Sequence, residues 1–331
     1  MTPKKIIVLG ATGSIGDSAV AVMREHRNEF KPVAFVALKS KEKCEALAAE
    51  FSAKSYVGEG AALKAIEEND ADLCLVALVG ESGIEPTLAA IEKGMDIALA
   101  TKEVLVMEGA KVMAAAKRRG VKMLPVDSEH SAIFQCIQQG GEVERLILTA
   151  SGGPFLDSPS DLSKVTVEEA LNHPSWKMGP KVTIDSSTMM NKGFEIIEAH
   201  WLFSIPPDKI DVVVHPQSIV HSLVEFKDGA TLAQLSPPDM RVAIQYALSW
   251  PQRLPSKREV LDLAQIGKLE FRAPDLERFP ALSLAKKALL SGGTAARRLA
   301  EADEKAVNDF LQGKILYTDI IKKCEEALNN D

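Results

Sequence analysis

Asp127 and Glu129 stand one residue apart in Pro125-Val-Asp-Ser-Glu-His-Ser131, at the end of the apolar run Lys122-Met-Leu-Pro-Val126. If that run is a short strand, its period of two sets both carboxylates on one side. Two like charges on one face repel unless a cation lies between them. The pair therefore reads either as a solvated turn or as half of a divalent-metal site, with Ser128 and His130 close by to position a substrate.

Three further stretches carry suitable chemistry. Thr149-Ala-Ser-Gly-Gly-Pro-Phe155 ends an apolar run with Ser151 and two glycines, a backbone nest suited to an anion. Asp185-Ser-Ser-Thr-Met-Met-Asn-Lys-Gly193 supplies Ser186, Asn191 and Lys192, then enters Phe194-Glu-Ile-Ile-Glu-Ala-His-Trp201, a helical pattern with Glu195 and Glu198 at i and i+3. The loop His173-Pro-Ser-Trp-Lys-Met178 offers Trp176 and Met178 as apolar cover over a reaction. Each has a plainer reading: Glu195 as an acid favoured by a helix dipole, Lys192 at the surface, Trp176 and Trp201 in the core. For His221 the core reading is preferred.

At the other end, Gly10-Ala-Thr-Gly-Ser-Ile-Gly16 follows an apolar strand pattern and opens a helical stretch from Asp17 to Glu25. Glycines so spaced permit a tight turn and let a pyrophosphate approach a helix N-terminus, so Gly10, Thr12, Gly13, Ser14 and Ile15 read as a dinucleotide loop. Where an NAD enzyme carries an acid for the ribose, this chain reads Ala37-Leu-Lys-Ser-Lys41. Lys39, Ser40 and Lys41 suit a 2′-phosphate and favour NADPH; a solvated basic loop is the alternative. Gly80-Glu-Ser-Gly83 would turn at the same sheet edge.

These groups need a frame. Short apolar runs at 6–9, 32–37, 73–77, 96–100 and 121–124 alternate with helical stretches such as 41–51 and 61–68, which implies a doubly wound parallel sheet. The fold class expected is α/β: an N-terminal Rossmann-type NADPH domain over 1–125, a central α+β catalytic domain over 126–253, a linker over 254–279, and a shortened C-terminal helical bundle over 280–331. The 331 residues are 46% hydrophobic and 26% charged, a globular composition. A net charge of -7 disfavours nucleic-acid binding. No apolar run reaches membrane-span length and the first residues carry no signal-peptide layout, so a cytoplasmic protein is expected. The four cysteines form no Cys-x-x-Cys pair, and Cys136 sits in an apolar helical pattern as a structural thiol.

Together with Leu99-Ala-Thr-Lys-Glu103, Leu171-Asn-His-Pro-Ser-Trp-Lys-Met-Gly-Pro180, His215-Pro-Gln-Ser218 and Leu232-Ala-Gln-Leu-Ser-Pro-Pro-Asp-Met-Arg241, these motifs resemble the 1-deoxy-D-xylulose 5-phosphate reductoisomerase family in order and over nearly the whole chain. The resemblance implies Asp127, Glu129 and Glu195 as ligands of Mg²⁺ or Mn²⁺. It implies Ser151, Ser186, Asn191 and Lys192 as the phosphate cradle with His173 beside it, and Ser128 and Lys102 at the hydroxyl and carbonyl end of the substrate. Trp176 and Met178 fall on a closing flap, with Glu198 orienting the metal shell. Lys102, Glu129, Glu195 and Lys192 become the catalytic set, and Thr101, Lys102, Glu103, Gly179 and Met240 join the glycine loop and Lys39 around NADPH. The implied reaction rearranges a ketose phosphate, in the retro-aldol/aldol view, and reduces the resulting aldehyde to 2-C-methyl-D-erythritol 4-phosphate. A homodimer is implied as well.

Three departures accompany the resemblance. The family's Asn before the lysine matched by Lys102 is Thr101 here, and its Ser two residues after that lysine is Val104. A motif expected as Asn-Ala-Ala-Asn-Glu reads Ala300-Glu-Ala-Asp-Glu304. The chain is also shorter than the family leads one to expect. Two other readings compete: an NADP-dependent dehydrogenase or semialdehyde reductase on the same fold, and a catalytically silent nucleotide-binding paralogue.

Overall fold

The structure, a computed structural model, describes residues 2–157, 161–174, 176 and 178–329. It divides into two compact bodies, one made of residues up to Ser131 with Asp239–Arg258, the other of Ala132–Pro238 and the chain from Glu259 onward.

In the first body, strands β1 (Lys4–Leu9), β2 (Phe30–Ala37), β3 (Lys54–Val57), β4 (Leu73–Val76), β5 (Asp96–Leu99) and β6 (Met123–Pro125) form one sheet in the order β3-β2-β1-β4-β5-β6. All its pairings are parallel. Ile6, Ile7, Val8, Leu9 and the whole of Leu73-Cys-Leu-Val76 are fully buried, as strands covered on both faces must be. The covering helices are α1 (Ser14–Glu25), α2 (Lys41–Phe51), α3 (Ala61–Glu68), α4 (Ile84–Glu92) and α5 (Glu103–Arg119), with the helix Met240–Ser249 packed near β5 and β6. This is the doubly wound sheet that alternation predicts. The short strand β3 carries only one buried side chain, Tyr56, and gives no apolar signal in the sequence.

One expectation fails here. The strand leading to Asp127 ends at Pro125, and helix α6 (Ser128–Ile137) begins with Ser128. Asp127 O accepts from Ser131 N at 2.8 Å, the first i to i+4 bond of that helix. The two carboxylates thus flank a helix start, and strand alternation does not relate them. Period-two reasoning overruns because Pro125 removes a ladder donor and the following Asp-Ser pair favours a helix cap.

In the second body, β7 (Val143–Ala150) is the hub of a sheet ordered β10-β9-β7-β8, with β8 (Ile210–Val214), β9 (Val220–Phe226) and β10 (Thr231–Leu235). β8 is parallel to β7, while β9 and β10 run antiparallel to their neighbours. Between β7 and β8 the chain forms α7 (Val167–Leu171), α8 (Pro180–Thr188) and α9 (Met190–Phe203), and α9 lies near β7 and β8. After α10, the helix Met240–Ser249 of the first body, and the single turn α11 (Leu263–Ile266), helices α12 (Ala281–Ser291), α13 (Ala295–Leu311) and α14 (Tyr317–Asn329) complete the chain. Among the described residues no helix is long and apolar enough to cross a membrane.

Candidate active site

The glycine loop joins β1 to α1 in a shape that forbids side chains at two places. A Cβ on Gly10, whose φ is +81°, would lie 2.0 Å from Ala77 O, and one on Gly16 would lie 2.5 Å from Ala11 O. Those glycines are demanded by the fold. At Gly13 a Cβ would meet only Gly10 O, at 3.5 Å, an ordinary contact. What its missing side chain leaves room for lies outside the chain. Gly13 also heads α1 without a side-chain cap, so the first-turn amides around Ser14 and Ile15 offer donors to an anion. A pyrophosphate fits this cradle.

Lys39 and Ser40 are exposed after β2, the strand paired with β1, and Lys41 approaches Glu45 at 3.9 Å. A lysine that sequence reasoning passes over, Lys43, donates to Thr12 O at 3.2 Å and lies 2.7 Å from Asp17. It stands in the first turn of α2, and nothing in its spacing marks it.

Thr101, Lys102 and Glu103 follow β5 and lead into α5, at the carboxyl edge of the sheet where such folds place ligands. The Thr101 hydroxyl donates to Leu78 O at 2.7 Å, and its methyl packs with Val104 on Gly83, where a Cβ would meet Val104 Cγ2 at 3.0 Å and Thr101 Cγ2 at 3.1 Å. The two departures from the family pattern thus occupy one small apolar contact. They leave Lys102 supported through the backbone, with its ammonium 2.8 Å from an Asp127 oxygen. Ser128 Oγ donates to Glu129 Oε2 at 2.5 Å, and His130 is fully buried. Met240 is half-buried at the start of α10, whose cap Asp239 accepts from Arg241 N at 2.9 Å.

In the second body the anion nest takes form. Gly152 and Gly153 both have positive φ, and a Cβ on Gly153 would lie 2.8 Å from Ser186 O, so the turn after β7 lies directly against α8. Nε2 of His173 is 3.1 Å from the hydroxyls of both Ser151 and Ser186. Burial holds this imidazole below its ordinary range. Trp176 N donates to His173 Nδ1 at 3.0 Å, and its indole meets the His221 ring edge-on with centroids 6.4 Å apart. His221 is buried and bonded to Ser236 Oγ at 2.9 Å, the satisfied core role expected of it. Met178 is half-buried, and Gly179 caps α8, where an added Cβ would meet no atom of the described residues within 4 Å. Ser175 and Lys177 of the same motif lie outside the described residues.

Helix α9 begins four residues before the helical pattern read from sequence, so Glu195 sits in its second turn rather than at a dipole-favoured end. Two of its partners stand on the same helix. Lys192 Nζ lies 2.5 Å from Glu195 Oε2 and Asn191 Nδ2 lies 2.6 Å from Oε1. Lys192, Glu195 and Glu198 are all buried, so the surface reading of Lys192 fails. Carboxylates that already require a cation for charge balance are chemically suited to a hard divalent ion.

The chain is similar to known proteins over nearly its whole length. Residues 123–203 match the 1-deoxy-D-xylulose 5-phosphate reductoisomerase C-terminal domain, 235–331 the DXP reductoisomerase C-terminal domain, and 6–57 with 48–109 the 1-deoxy-D-xylulose 5-phosphate reductoisomerase family. A 1-deoxy-D-xylulose 5-phosphate reductoisomerase of Caldanaerobacter subterraneus is 49% identical over 352 aligned positions, covering 99% of this chain and 92% of the relative. One from a Geobacillus species is 48% identical over 98% of this chain and 92% of its own. An alignment of 352 positions for a chain of 331 residues means that the relative carries internal residues that this chain lacks. A crystal structure of DOX-P reductoisomerase with NADPH, fosmidomycin and magnesium superposes with a TM-score of 0.94 at 41% identity, covering 99% of this chain and 90% of that one. The Zymomonas mobilis enzyme in complex with NADPH gives 0.90 at 39% identity, covering 99% and 92%.

Proposed function

The chain belongs to the 1-deoxy-D-xylulose 5-phosphate reductoisomerase family, and from that premise we infer how its own residues divide the work. It is an NADPH-dependent oxidoreductase of the non-mevalonate isoprenoid pathway that rearranges 1-deoxy-D-xylulose 5-phosphate and reduces it to 2-C-methyl-D-erythritol 4-phosphate with a divalent metal. The observation that carries the assignment of roles is the convergence of the Ser151 and Ser186 hydroxyls on one His173 nitrogen, 3.1 Å from each.

Residues 1–125 hold NADPH together with Asp239–Arg258 of the same body, the greater part of 126–253 holds substrate and metal, 254–279 link, and 280–331 support the substrate side. Gly10, Thr12, Gly13, Ser14 and Ile15 take the pyrophosphate, Lys39 the 2′-phosphate, and Thr101, Glu103, Gly179 and Met240 the remainder of the dinucleotide. Ser151, Ser186, Asn191 and Lys192 bind the phosphate as hydroxyl, amide and ammonium donors, with His173 linking the two serines. Asp127, Glu129 and Glu195 hold Mn²⁺ or Mg²⁺. When bound, the metal supplies a Lewis acid and NADPH the reducing equivalent. Lys102 and Ser128 orient the hydroxyl and carbonyl end. Trp176 and Met178 exclude water, which keeps a reactive aldehyde from escaping.

The protein acts in the cytoplasm as a homodimer. Support for the dimer comes from the face of the second sheet turned away from α9. Ile147, Val213, Leu223 and Phe271 line a depression of about 410 Å³ there, beside Arg145, which pairs with Asp211 at 2.8 Å and Glu225 at 2.9 Å. A half-exposed apolar patch edged by charge suits a second copy. Sedimentation at twice the 35.8 kDa chain mass is expected, and a monomer at all concentrations would exclude it.

Incubating the protein with 1-deoxy-D-xylulose 5-phosphate, NADPH and Mn²⁺ and following nicotinamide absorbance tests the activity. Oxidation that does not depend on metal and ketose phosphate would return the chain to the dehydrogenase or silent-paralogue readings.

A further inference from the structure

Helix α13 carries a carboxylate where its apolar stripe calls for an aliphatic side chain. Leu299, Asp303 and Val307 follow one another at i, i+4 and i+8, and all three are fully buried. The Asp303 carboxylate reaches Lys181 Nζ at 2.5 Å, and the same ammonium lies 2.5 Å from Asp185. Lys181 is in the first turn of α8, directly after the segment that bears His173, Trp176 and Met178, and Asp185 is one turn further along the same helix. The ammonium also sits 5.1 Å from the centre of the Phe194 ring on α9. One part-buried cation thus joins three helices, two of which carry the proposed phosphate cradle.

Stability alone does not account for this cluster. Two carboxylates share one ammonium inside the protein, and enclosing these charged groups costs more than covering the same area with aliphatic side chains. Burial drives the Lys181 ammonium toward losing its proton, but Asp185 and Asp303 together hold it well above the ordinary lysine range. A directional, charged contact fixes one placement of α8 on α13 where an oily one would tolerate several. That placement matters because Ser186 is the next residue after Asp185, and its hydroxyl must stay within reach of His173 while its carbonyl meets Gly153. The neighbouring helix is held comparably close: a Cβ on Gly193, next to Lys192, would lie 3.1 Å from Ala281 O on α12.

We propose that Lys181 and Asp303 are positioning residues for substrate, through which the C-terminal helix α13 sets the placement of α8 and so the affinity for the ketose phosphate. The proposal rests on the phosphate role given above to Ser151, Ser186 and His173. It concerns neither NADPH nor the chemical step, so its signature is selective.

The test compares full-length Asp303→Asn with Val307→Ala, which loosens the same helix by a cavity without touching Lys181, and with the charge-free triple variant K181M/D185N/D303L. Asp303→Asn and the triple variant should raise KM for 1-deoxy-D-xylulose 5-phosphate by about fivefold or more while kcat and KM for NADPH stay within about twofold. Val307→Ala should lower Tm and leave all three constants within about twofold. The triple variant carries the decisive weight, because apolar replacement should restore Tm while the KM stays raised. An unchanged KM in Asp303→Asn, or an equal rise in Val307→Ala, overturns the proposal. Failure of the wild-type chain itself to turn over the ketose phosphate would instead strike the functional reading.

Discussion

Lys192 and Glu195 form an ion pair inside one turn of α9, with Nζ and Oε2 2.5 Å apart and side chains only 5% and 1% exposed. Asp127 has a similar companion in Lys102, at 2.8 Å. A metal ligated by Glu195 competes with the Lys192 ammonium for the same oxygen. Lys192→Met removes the competitor and leaves a buried carboxylate in need of a cation, a loss worth about 3–5 kcal/mol without metal. The Mn²⁺-induced rise in Tm should therefore be larger in Lys192→Met than in wild type. Equal or smaller rises would take Glu195 away from the metal.

Glu195→Gln keeps the shape but offers one accepting oxygen in place of the two that Asn191 and Lys192 now use, and it removes the charge that balances the ammonium. Turnover should fall by about 100-fold or more, because charge stabilisation at developing oxyanions is lost with the metal. NADPH affinity, measured by fluorescence titration, should stay within about twofold. Retained activity would remove Glu195 from the catalytic set.

The two kinds of glycine in the nucleotide loop should separate cleanly. Gly10→Ala drives a Cβ to 2.0 Å from Ala77 O and imposes positive φ on alanine, so it should fail to give soluble folded protein or melt far below wild type. Gly13→Ala meets nothing closer than 3.5 Å within the chain. Its Tm should shift by no more than about 2 °C, while KM for NADPH rises by about tenfold. If Gly13→Ala binds NADPH normally, the open side of the loop is not the pyrophosphate seat.

Much of this is legible in the chain because its signals are local. The helices Lys41–Phe51 and Ala61–Glu68 match their apolar periods, and the glycine loop follows a strand and opens a helix as its spacing requires. Sequence reasoning falters where two local rules meet. Met123-Leu-Pro125 continues as a strand pattern only until the Asp-Ser cap takes over, and α9 starts at Met190 behind residues that look like a polar loop. Long-range pairings leave no trace. Asp303 lies 122 residues from Lys181, and only its position in an apolar stripe hints that a buried partner is needed.

A cysteine nucleophile in a reactive setting would favour the competing dehydrogenase or semialdehyde reductase reading, and none of the four cysteines stands in such a setting. All four are buried thiols outside any disulfide. Burial pushes the Cys74 thiol up to about 12 and raises those of Cys44 and Cys324 as well. Thiolate, the reacting form, is therefore scarce at neutral pH. Iodoacetamide on the native protein should leave activity intact and label cysteines only after denaturation. Rapid stoichiometric inactivation would revive a cysteine nucleophile.

His173 makes stability depend on pH in a definite direction. Burial keeps its imidazole below the ordinary value, so the folded protein holds it neutral in a range where the unfolded chain already takes up a proton. As pH falls, the unfolded state gains that proton first. The contribution of His173 to stability is complete above the ordinary imidazole value and is lost as pH falls through the lowered one. His173→Asn retains a polar partner for Ser151 and Ser186 and cannot titrate. Melting both proteins from about pH 8 to about pH 5 should show wild type losing more Tm than His173→Asn across that window. Parallel curves would mean that the imidazole titrates alike in both states, and the two serines would then be bridging a histidine that solvent still reaches.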